Sequence, residues 1–275
     1  MSNRYLEKNS GPITTESSET NMQVTGKSPY APNPTDYKSW KLLAWAGPFF
    51  VGTFVVLFGL VAGNLPPFPA DADPQAVWQN YADNRMRIMI GLSLFLTTAV
   101  AYLPFSAAVA KVMERIEGPG GVWAHLERLG ATITFAPPLV ACVLWIGAAH
   151  NVQTIDPGTA HLLYWMGWFL VDLGYAVTSL QIAAVSIVFM QDKRINKLVP
   201  DAVSWLGRVT FATFFVVLGV PFFTTGPLAF DGLLSFWVAY PMWFIWITVL
   251  SYFIIKAVDR LKAEDAAASR INASQ

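Results

Sequence analysis

Residues 162–190, LLYWMGWFLVDLGYAVTSLQIAAVSIVFM, form a long, mostly apolar stretch with a single charged side chain, Asp172. About 20 apolar residues in a helix cross the roughly 30 Å hydrocarbon core of a bilayer. Five further runs reach that length and contain no Asp, Glu, Lys or Arg. They lie at 42–70, 88–110, 129–155, 209–230 and 232–255. The pattern predicts an all-α, polytopic membrane protein with six transmembrane helices.

The composition agrees with a membrane-spanning chain and excludes several other classes. Of 275 residues, 54% are hydrophobic and 13% are charged, whereas a soluble domain carries roughly 25% charged residues. The apolar runs are continuous, which favours helices over the alternating strands of a membrane barrel. A net charge of zero gives no basic surface for nucleic acid. The helices are predicted at about 42–63, 88–111, 131–149, 162–190, 209–227 and 233–256.

The sequence divides into a membrane domain at 38–260 and two polar tails. Residues 1–37 are rich in Ser, Thr, Asn and Pro and have no apolar run, so we predict a disordered tail. Residues 261–275 are predicted to be a second tail of the same kind. In the loop after the first helix, Asp73 followed by Pro74 is typical of a helix N-cap and first helical residue. A helix is therefore predicted to begin there and to continue toward the second membrane helix.

Lys and Arg are distributed unequally between the two sides of the predicted bundle. If the N-terminus lies inside, sixteen of them fall in inner segments, and only Arg85 and Arg87 fall in outer ones. Short loops rich in Lys and Arg remain in the cytoplasm during insertion. With an even number of helices, both termini are predicted on the cytoplasmic side of a bacterial inner membrane.

At residues 78–91, WQNYADNRMRIMIG, the chain resembles a group of uncharacterised bacterial six-helix membrane proteins of unknown function. In that group a Pro-rich outer loop follows the first helix, and a Tyr-Ala-Asp-Asn-Arg-like run leads into the second. The resemblance covers about residues 43–117. It implies a six-helix fold and a membrane location, but no reaction.

The carboxyl group of Asp172 is the leading candidate for a ligand or proton site. A bare carboxylate at mid-membrane costs about 2.5–3.5 kcal/mol, so it needs a partner, a water-filled cavity or a proton. On one continuous helix, Tyr175 and Ser179 share a small, polar face with Asp172, and this face should point into the bundle. We predict either a protonatable or cation-binding carboxylate in a cavity, or a neutral Asp that only packs.

A second candidate lies at the predicted outer turn, where His150, Asp156 and His161 are close in sequence. Two imidazoles and a carboxylate are ligands that a transition metal takes. Their spacing matches no established metal motif, and a structural role at the membrane interface is the alternative.

Arg85 and Arg87 depart from the positive-inside pattern and are candidates for binding an anion or a lipid headgroup. The alternative is a salt bridge to Asp83, or to Asp71 and Asp73 in the loop, together with a headgroup contact.

Three functional hypotheses follow, because the sequence has no Walker loop, no Gly-x-Ser-x-Gly and no His-Glu-x-x-His. The first is binding or transport of a small apolar or weakly anionic molecule in a bundle cavity. The second is a non-catalytic accessory or assembly subunit of a larger membrane complex. The third is a membrane enzyme that uses His150, His161 and Asp172. No cofactor is predicted, and the expected partners are the lipid bilayer, a small ligand, and a second copy or a larger complex.

Overall fold

The architecture is all-α throughout residues 36–274, the part of the chain that the structure, a computed structural model, describes. Eight α-helices follow one another, and two of them continue into short helices of other types. The α-helices are α1 Tyr37–Thr53, α2 Pro74–Ala99, α3 Tyr102–Glu117, α4 Val122–His150, α5 Pro157–Asp172, α6 Tyr175–Met190, α7 Asp201–Phe214 and α8 Ala239–Ala273. A π-helix at Phe54–Val61 extends α1, and a 3-10 helix at Phe215–Phe222 extends α7.

These elements combine into six helical units that are long and apolar enough to cross a membrane, as predicted. Large apolar side chains such as Leu42 and Phe222, 70% and 77% exposed, lie on the outer surface of the bundle. A helix in water would place polar residues there, so lipid is the solvent that suits this surface. The units are Tyr37–Val61, Pro74–Glu117, Val122–His150, Pro157–Met190, Asp201–Phe222 and Ala239–Ala273.

Capping side chains fix where three of the helices begin. Asp73 accepts a hydrogen bond from the backbone N–H of Gln75 at 2.8 Å, so α2 starts at Pro74 as the sequence predicts. Asp36 and Asp156 accept bonds in the same way from the first turns of α1 and α5. These side chains satisfy N–H groups that have no partner within the helix.

Two of the membrane-crossing units are interrupted near the middle. Pro104 has no N–H and crowds the carbonyl of Val100, four residues earlier, and the break between α2 and α3 falls at that point. The predicted single helix at 162–190 is likewise divided, because Asp172 ends α5 and α6 begins after Leu173 and Gly174.

Other helix bounds differ from the prediction. Helix α4 begins at Val122 rather than near residue 131, and α8 begins at Ala239 and continues to Ala273. The predicted bounds followed the limits of charge-free runs, whereas charged residues also extend helices beyond a membrane core. Most of the predicted tail at 261–275 is therefore helical. Of the predicted tail at 1–37, residues 1–35 lie outside the described residues.

The start of α1 and the last turns of α8 share one end of the bundle, the terminal end; the opposite end is the far end. At the terminal end the Tyr37 hydroxyl donates to Asp265, Lys41 pairs with Asp259, and Arg115 also pairs with Asp265. Exposed ion pairs of this kind each contribute up to about 1 kcal/mol. The loops at the far end are 62–73, 151–156 and 223–238.

Candidate functional site

Asp172 ends α5 inside the bundle, and one oxygen of its buried carboxyl group has no partner among residues 36–274. The residue is 3% exposed. The hydroxyl of Tyr240, near the start of α8, donates to Oδ1 at 2.5 Å, while Oδ2 is buried and accepts no hydrogen bond from these residues. Asp172 lies about 22 Å along α5 from Pro157, at 1.5 Å per residue. Burying a polar atom without a partner is unfavourable, so a proton, a water or a ligand group at Oδ2 would be stabilising.

Asp172 lines a partly enclosed cavity with a volume of about 40 Å³, which is room for a few water molecules. The walls are mainly aromatic, with hydroxyl groups from Thr134 and Thr178. No Lys or Arg is among the described residues that line it, so no fixed positive charge balances the carboxyl group. The aromatic lining residues are Phe50, Phe54, Tyr102, Phe214, Tyr240 and Trp243, together with two further Phe side chains.

An apolar groove with a volume of about 320 Å³ lies beside this cavity, between the first helical unit and the first turns of α8. Phe54 and Tyr240 line both spaces and therefore form the wall between them. Phe54 begins the π-helical segment, and π-helical turns are frequent at functional sites.

A second carboxyl group, that of Glu127 on α4, is buried in a cluster of polar side chains. Glu127 is 0% exposed. The Ser106 hydroxyl donates to its Oε2 at 3.0 Å, and the Gln181 amide donates to its Oε1 at 3.1 Å. The Tyr102 hydroxyl in turn donates to Gln181 Oε1 at 2.8 Å. Three helices, α3, α4 and α6, are therefore joined by one hydrogen-bonded chain that ends at the cavity, because Tyr102 also lines the cavity.

Gly130 makes this cluster possible, because it lets α6 approach α4 closely. A Cβ atom added at Gly130 would lie 2.9 Å from the Cβ atom of Gln181 and 3.4 Å from its Cα atom. Gly130 is three residues after Glu127, on the neighbouring part of the same helix surface. The missing side chain therefore sets the distance at which the Gln181 amide reaches the Glu127 carboxyl group.

The two residues predicted to accompany Asp172 lie beyond the helix break. Tyr175 is the first residue of α6, and its ring packs against Phe215 with centroids 5.8 Å apart. Ser179 is 1% exposed, and its hydroxyl has no hydrogen-bond partner. The shared face that we predicted assumed one continuous helix, and the break changes the register of α6. The hydroxyl that bonds Asp172 is that of Tyr240, which is distant in sequence.

The structure does not bring His150, Asp156 and His161 together as a metal site. Within residues 36–274, no group of three His, Cys, Asp or Glu side chains is placed to hold a metal ion. His161 Nε2 accepts a hydrogen bond from the Trp165 indole at 2.9 Å. Asp156 instead caps α5, and hydrogen bonds from the Thr159 hydroxyl and backbone N–H hold the pKa of its carboxyl below the usual value.

Arg85 and Arg87 bind the carbonyl groups that end neighbouring helical units. Arg87 donates to Val61 O at 2.8 Å and to Leu60 O at 2.5 Å, and Arg85 donates to His150 O at 3.0 Å. Carbonyls in the last turn of a helix lack partners within it, and a cation is favourable there. The predicted salt bridges to nearby acidic residues are not among the ion pairs of the described residues. These backbone contacts explain why two arginines lie at the far end.

Sequence reasoning missed Glu127, Gln181, Tyr102 and Tyr240. Glu127 was placed in a connector because Arg128 follows it and the charge-free run begins only at residue 129. Gln181 offered a usable signal, since an amide in an apolar run needs hydrogen-bond partners on neighbouring helices.

No known protein family, curated protein or solved structure matches the chain.

Proposed function

We propose that the protein binds a small, mostly apolar molecule in the bundle and moves it across the membrane, with Asp172 holding its polar end. The observation that carries this proposal is the Oδ2 of Asp172, which is buried and unpaired within the described chain, in the wall of a largely apolar cavity. A carboxyl group that needs no further partner has both oxygens bonded, as those of Glu127 are. An open acceptor in a membrane bundle is costly, and a ligand group or proton at Oδ2 removes that cost.

The apolar groove supports the choice of a mostly apolar ligand. Its volume of about 320 Å³ falls at the lower end of small-molecule sites, roughly 300–1,000 Å³, whereas the cavity alone holds only a few waters. The body of the ligand lies in the groove, and its polar group passes Phe54 and Tyr240 to reach Asp172. Movement of these two side chains is the opening step.

The polar end of the ligand is a hydrogen-bond donor. The Tyr240 hydroxyl already donates to Oδ1, and Oδ2 accepts the bond from the ligand. Because no Lys or Arg lines the cavity, an anion would meet an uncompensated carboxyl group. A weakly acidic ligand therefore binds in its protonated, neutral form.

The orientation proposed is that the terminal end lies in the cytoplasm, in a bacterial inner membrane. This end holds nearly all the Lys and Arg of the described chain, and the two arginines at the far end bind carbonyl groups. Cysteines introduced at Ala72 and Gly158, in a chain with Cys142 replaced by Ala, should react with an impermeant thiol reagent on intact cells. A cysteine at Ala268 should stay unlabelled, and labelling there from outside would overturn the orientation.

The ligand proposal is tested with three probes that share one ring: toluene, phenol and benzoate. Purified protein is heated with each probe at neutral pH, where phenol is neutral and benzoate is an anion. Phenol should raise the unfolding temperature more than toluene, since a hydrogen bond to Oδ2 contributes about 1.4 kcal/mol, or roughly tenfold in affinity. Benzoate should have no effect. In Asp172→Leu the advantage of phenol over toluene should disappear.

Asp71→Asn is the matched control, because Asp71 is an exposed carboxyl group in the loop before α2. This variant should keep the preference for phenol. Equal shifts from all three probes, no shift from phenol, or an unchanged preference in Asp172→Leu would each overturn the proposal.

A further inference from the structure

Glu127 has no part in the proposed binding step, yet it is joined to the cavity. Its carboxyl group, the Gln181 amide and the Tyr102 hydroxyl form a continuous hydrogen-bonded chain across three helices. Tyr102 is the last member, and it forms part of the cavity wall. Each member is buried, so the chain does not exchange its partners for water.

The hydrogen bonds in this chain all point the same way. Tyr102 gives its hydrogen to Gln181 Oε1, and Gln181 gives an amide hydrogen to Glu127 Oε1. Glu127 accepts, from Gln181 and from Ser106, as an ionised carboxylate does. The Tyr102 oxygen therefore offers only lone pairs to the cavity.

We propose that Glu127 is a proton-binding site whose occupancy reverses this chain and changes what the cavity presents to a ligand. When a proton binds, Glu127 donates to Gln181 Oε1 after the amide turns over by half a rotation. The amide nitrogen of Gln181 then donates to the Tyr102 oxygen, and the Tyr102 hydrogen points into the cavity. One proton is added at Glu127, and Gln181 and Tyr102 keep their own. The cavity wall changes from an acceptor to a donor.

Gln181 is suited to this role because its side chain carries a donor and an acceptor on one planar group. The Ser106 hydroxyl fits both states, since it can donate to Oε2 whether that oxygen belongs to the carboxylate or is the carbonyl oxygen of the acid. An amide does not pass protons along, so protons do not cross from Glu127 to the cavity. The device couples proton binding to ligand binding through hydrogen-bond direction alone.

Of the titratable side chains that α3 and α4 carry near the terminal end, Glu127 alone is buried. His125 on α4 and Lys111 and Arg115 on α3 are exposed, and half-buried Glu117 of α3 accepts hydrogen bonds from the N–H groups of Trp123 and Ala124. Arg128, the residue after Glu127, pairs with Glu114 of α3 at 2.6 Å, so its charge is compensated. The titratable groups of α2, α5 and α6, which also pack on α4, lie nearer the far end: Tyr81, Asp83, Arg85 and Arg87 on α2, His161, Tyr164 and Asp172 on α5, and Tyr175 on α6. Glu127 itself lies about 8 Å from the start of α4, at 1.5 Å per residue, which favours proton exchange with the terminal end.

Infrared difference spectroscopy on reconstituted protein tests the proposal without any ligand. On acidification, the wild type should gain the carbonyl band of a protonated carboxyl group together with a change in the tyrosine C–O band. Glu127→Gln should lose the part of each signal that comes from Glu127 and Tyr102. Tyr102→Phe should keep the carboxyl band and lose the tyrosine change. Glu264→Gln, at a half-exposed carboxyl of the terminal end, is the matched control and should resemble the wild type.

A carboxyl band as large in Glu127→Gln as in the wild type overturns the proton site. A tyrosine change as large in Tyr102→Phe as in the wild type overturns the coupling, and this variant supplies that result even if Glu127→Gln does not fold. Asp172→Asn should retain the Glu127 signals. Loss of the phenol preference and loss of these infrared signals are therefore separate results, so either proposal can fail alone.

Discussion

Glu127 and Asp172 are both carboxyl groups buried in the same bundle, but their surroundings differ. Both oxygens of Glu127 accept hydrogen bonds, from Ser106 and Gln181, whereas Asp172 has one bond, from Tyr240, and one open oxygen. Glu127 is packed among side chains, while Asp172 lines a cavity. The two groups thus share a chemistry and differ in what their surroundings leave unsatisfied.

The difference shows that burial alone does not leave a carboxyl group free to bind a ligand. A buried carboxyl group with both oxygens bonded holds helices together, and it has no oxygen left for a ligand. A buried carboxyl group with an open oxygen beside a cavity has the capacity for a further partner. Variants that remove hydrogen bonds from one carboxyl group and leave the other intact test this difference.

The largest expected loss of stability is that of Glu127→Leu, which we compare with the loss in Asp172→Leu. The first variant leaves the Gln181 amide and the Ser106 hydroxyl without their acceptor, and the second leaves only the Tyr240 hydroxyl. At about 1–2 kcal/mol for each orphaned group, Glu127→Leu should lose about 2–4 kcal/mol and Asp172→Leu about half as much. Unfolding in mixed micelles measures both, and a smaller loss in Glu127→Leu would contradict the account.

Gly130→Ala should have the next largest loss of stability, because a methyl group there meets Gln181 at 2.9 Å. Separating α4 from α6 should cost about 1–3 kcal/mol and stretch the bond between Gln181 and Glu127. Gly147→Ala on the same helix is the matched control, since a Cβ atom there has nothing within 4 Å. Its stability should be unchanged or higher, as Ala favours helix over Gly. Equal losses in the two variants would rule out the close approach.

Tyr240→Phe should have a smaller effect that sharpens the comparison at the other carboxyl group. It removes the hydrogen bond that the Asp172 carboxyl group accepts within the described chain, at about 1 kcal/mol, without touching the Glu127 cluster. Because Oδ2 is unchanged, phenol should still bind more tightly than toluene. If the thermal shifts of the two probes become equal in this variant, the open oxygen is not the ligand acceptor.

The smallest effect concerns Asp156, which accepts two hydrogen bonds as Glu127 does but is exposed. Thr159 holds the pKa of this carboxyl below its ordinary value of 3.8. The helix cap is therefore fully effective above pH 3.8 and is lost as the pH falls through the lower folded-state pKa. The free energy of unfolding of the wild type should fall with pH in that range, and that of Asp156→Asn should not. The same pH dependence in both proteins would contradict the role of Asp156 as a cap.

The sequence was sufficient for the number of membrane-capable helices, because that number follows from run length and charge. It also located Asp172, since one charge in an apolar run is visible without a structure. The start of α2 at Asp73 and Pro74 followed from capping chemistry alone. These features depend on residues that are close together in the chain.

The partners of the two carboxyl groups could not be predicted, because they come from distant parts of the chain. Tyr240 is 68 residues from Asp172, and Gln181 is 54 residues from Glu127. The break after Asp172 was also missed, and it carried with it the expected partnership with Tyr175. Helix packing decides these contacts, and it depends on small residues such as Gly130 whose neighbours the sequence does not reveal.

Crystals soaked in 4-bromophenol test most directly whether a ligand lies in the groove with its hydrogen-bond donor at Asp172. Anomalous scattering locates the bromine atom. In the wild type we expect a bromine peak in the groove beside Phe54 and Tyr240, with the phenol oxygen toward Asp172. In Asp172→Leu we expect no such peak. A peak confined to the outer surface of the bundle, or one that persists unchanged in Asp172→Leu, would contradict this placement of the ligand.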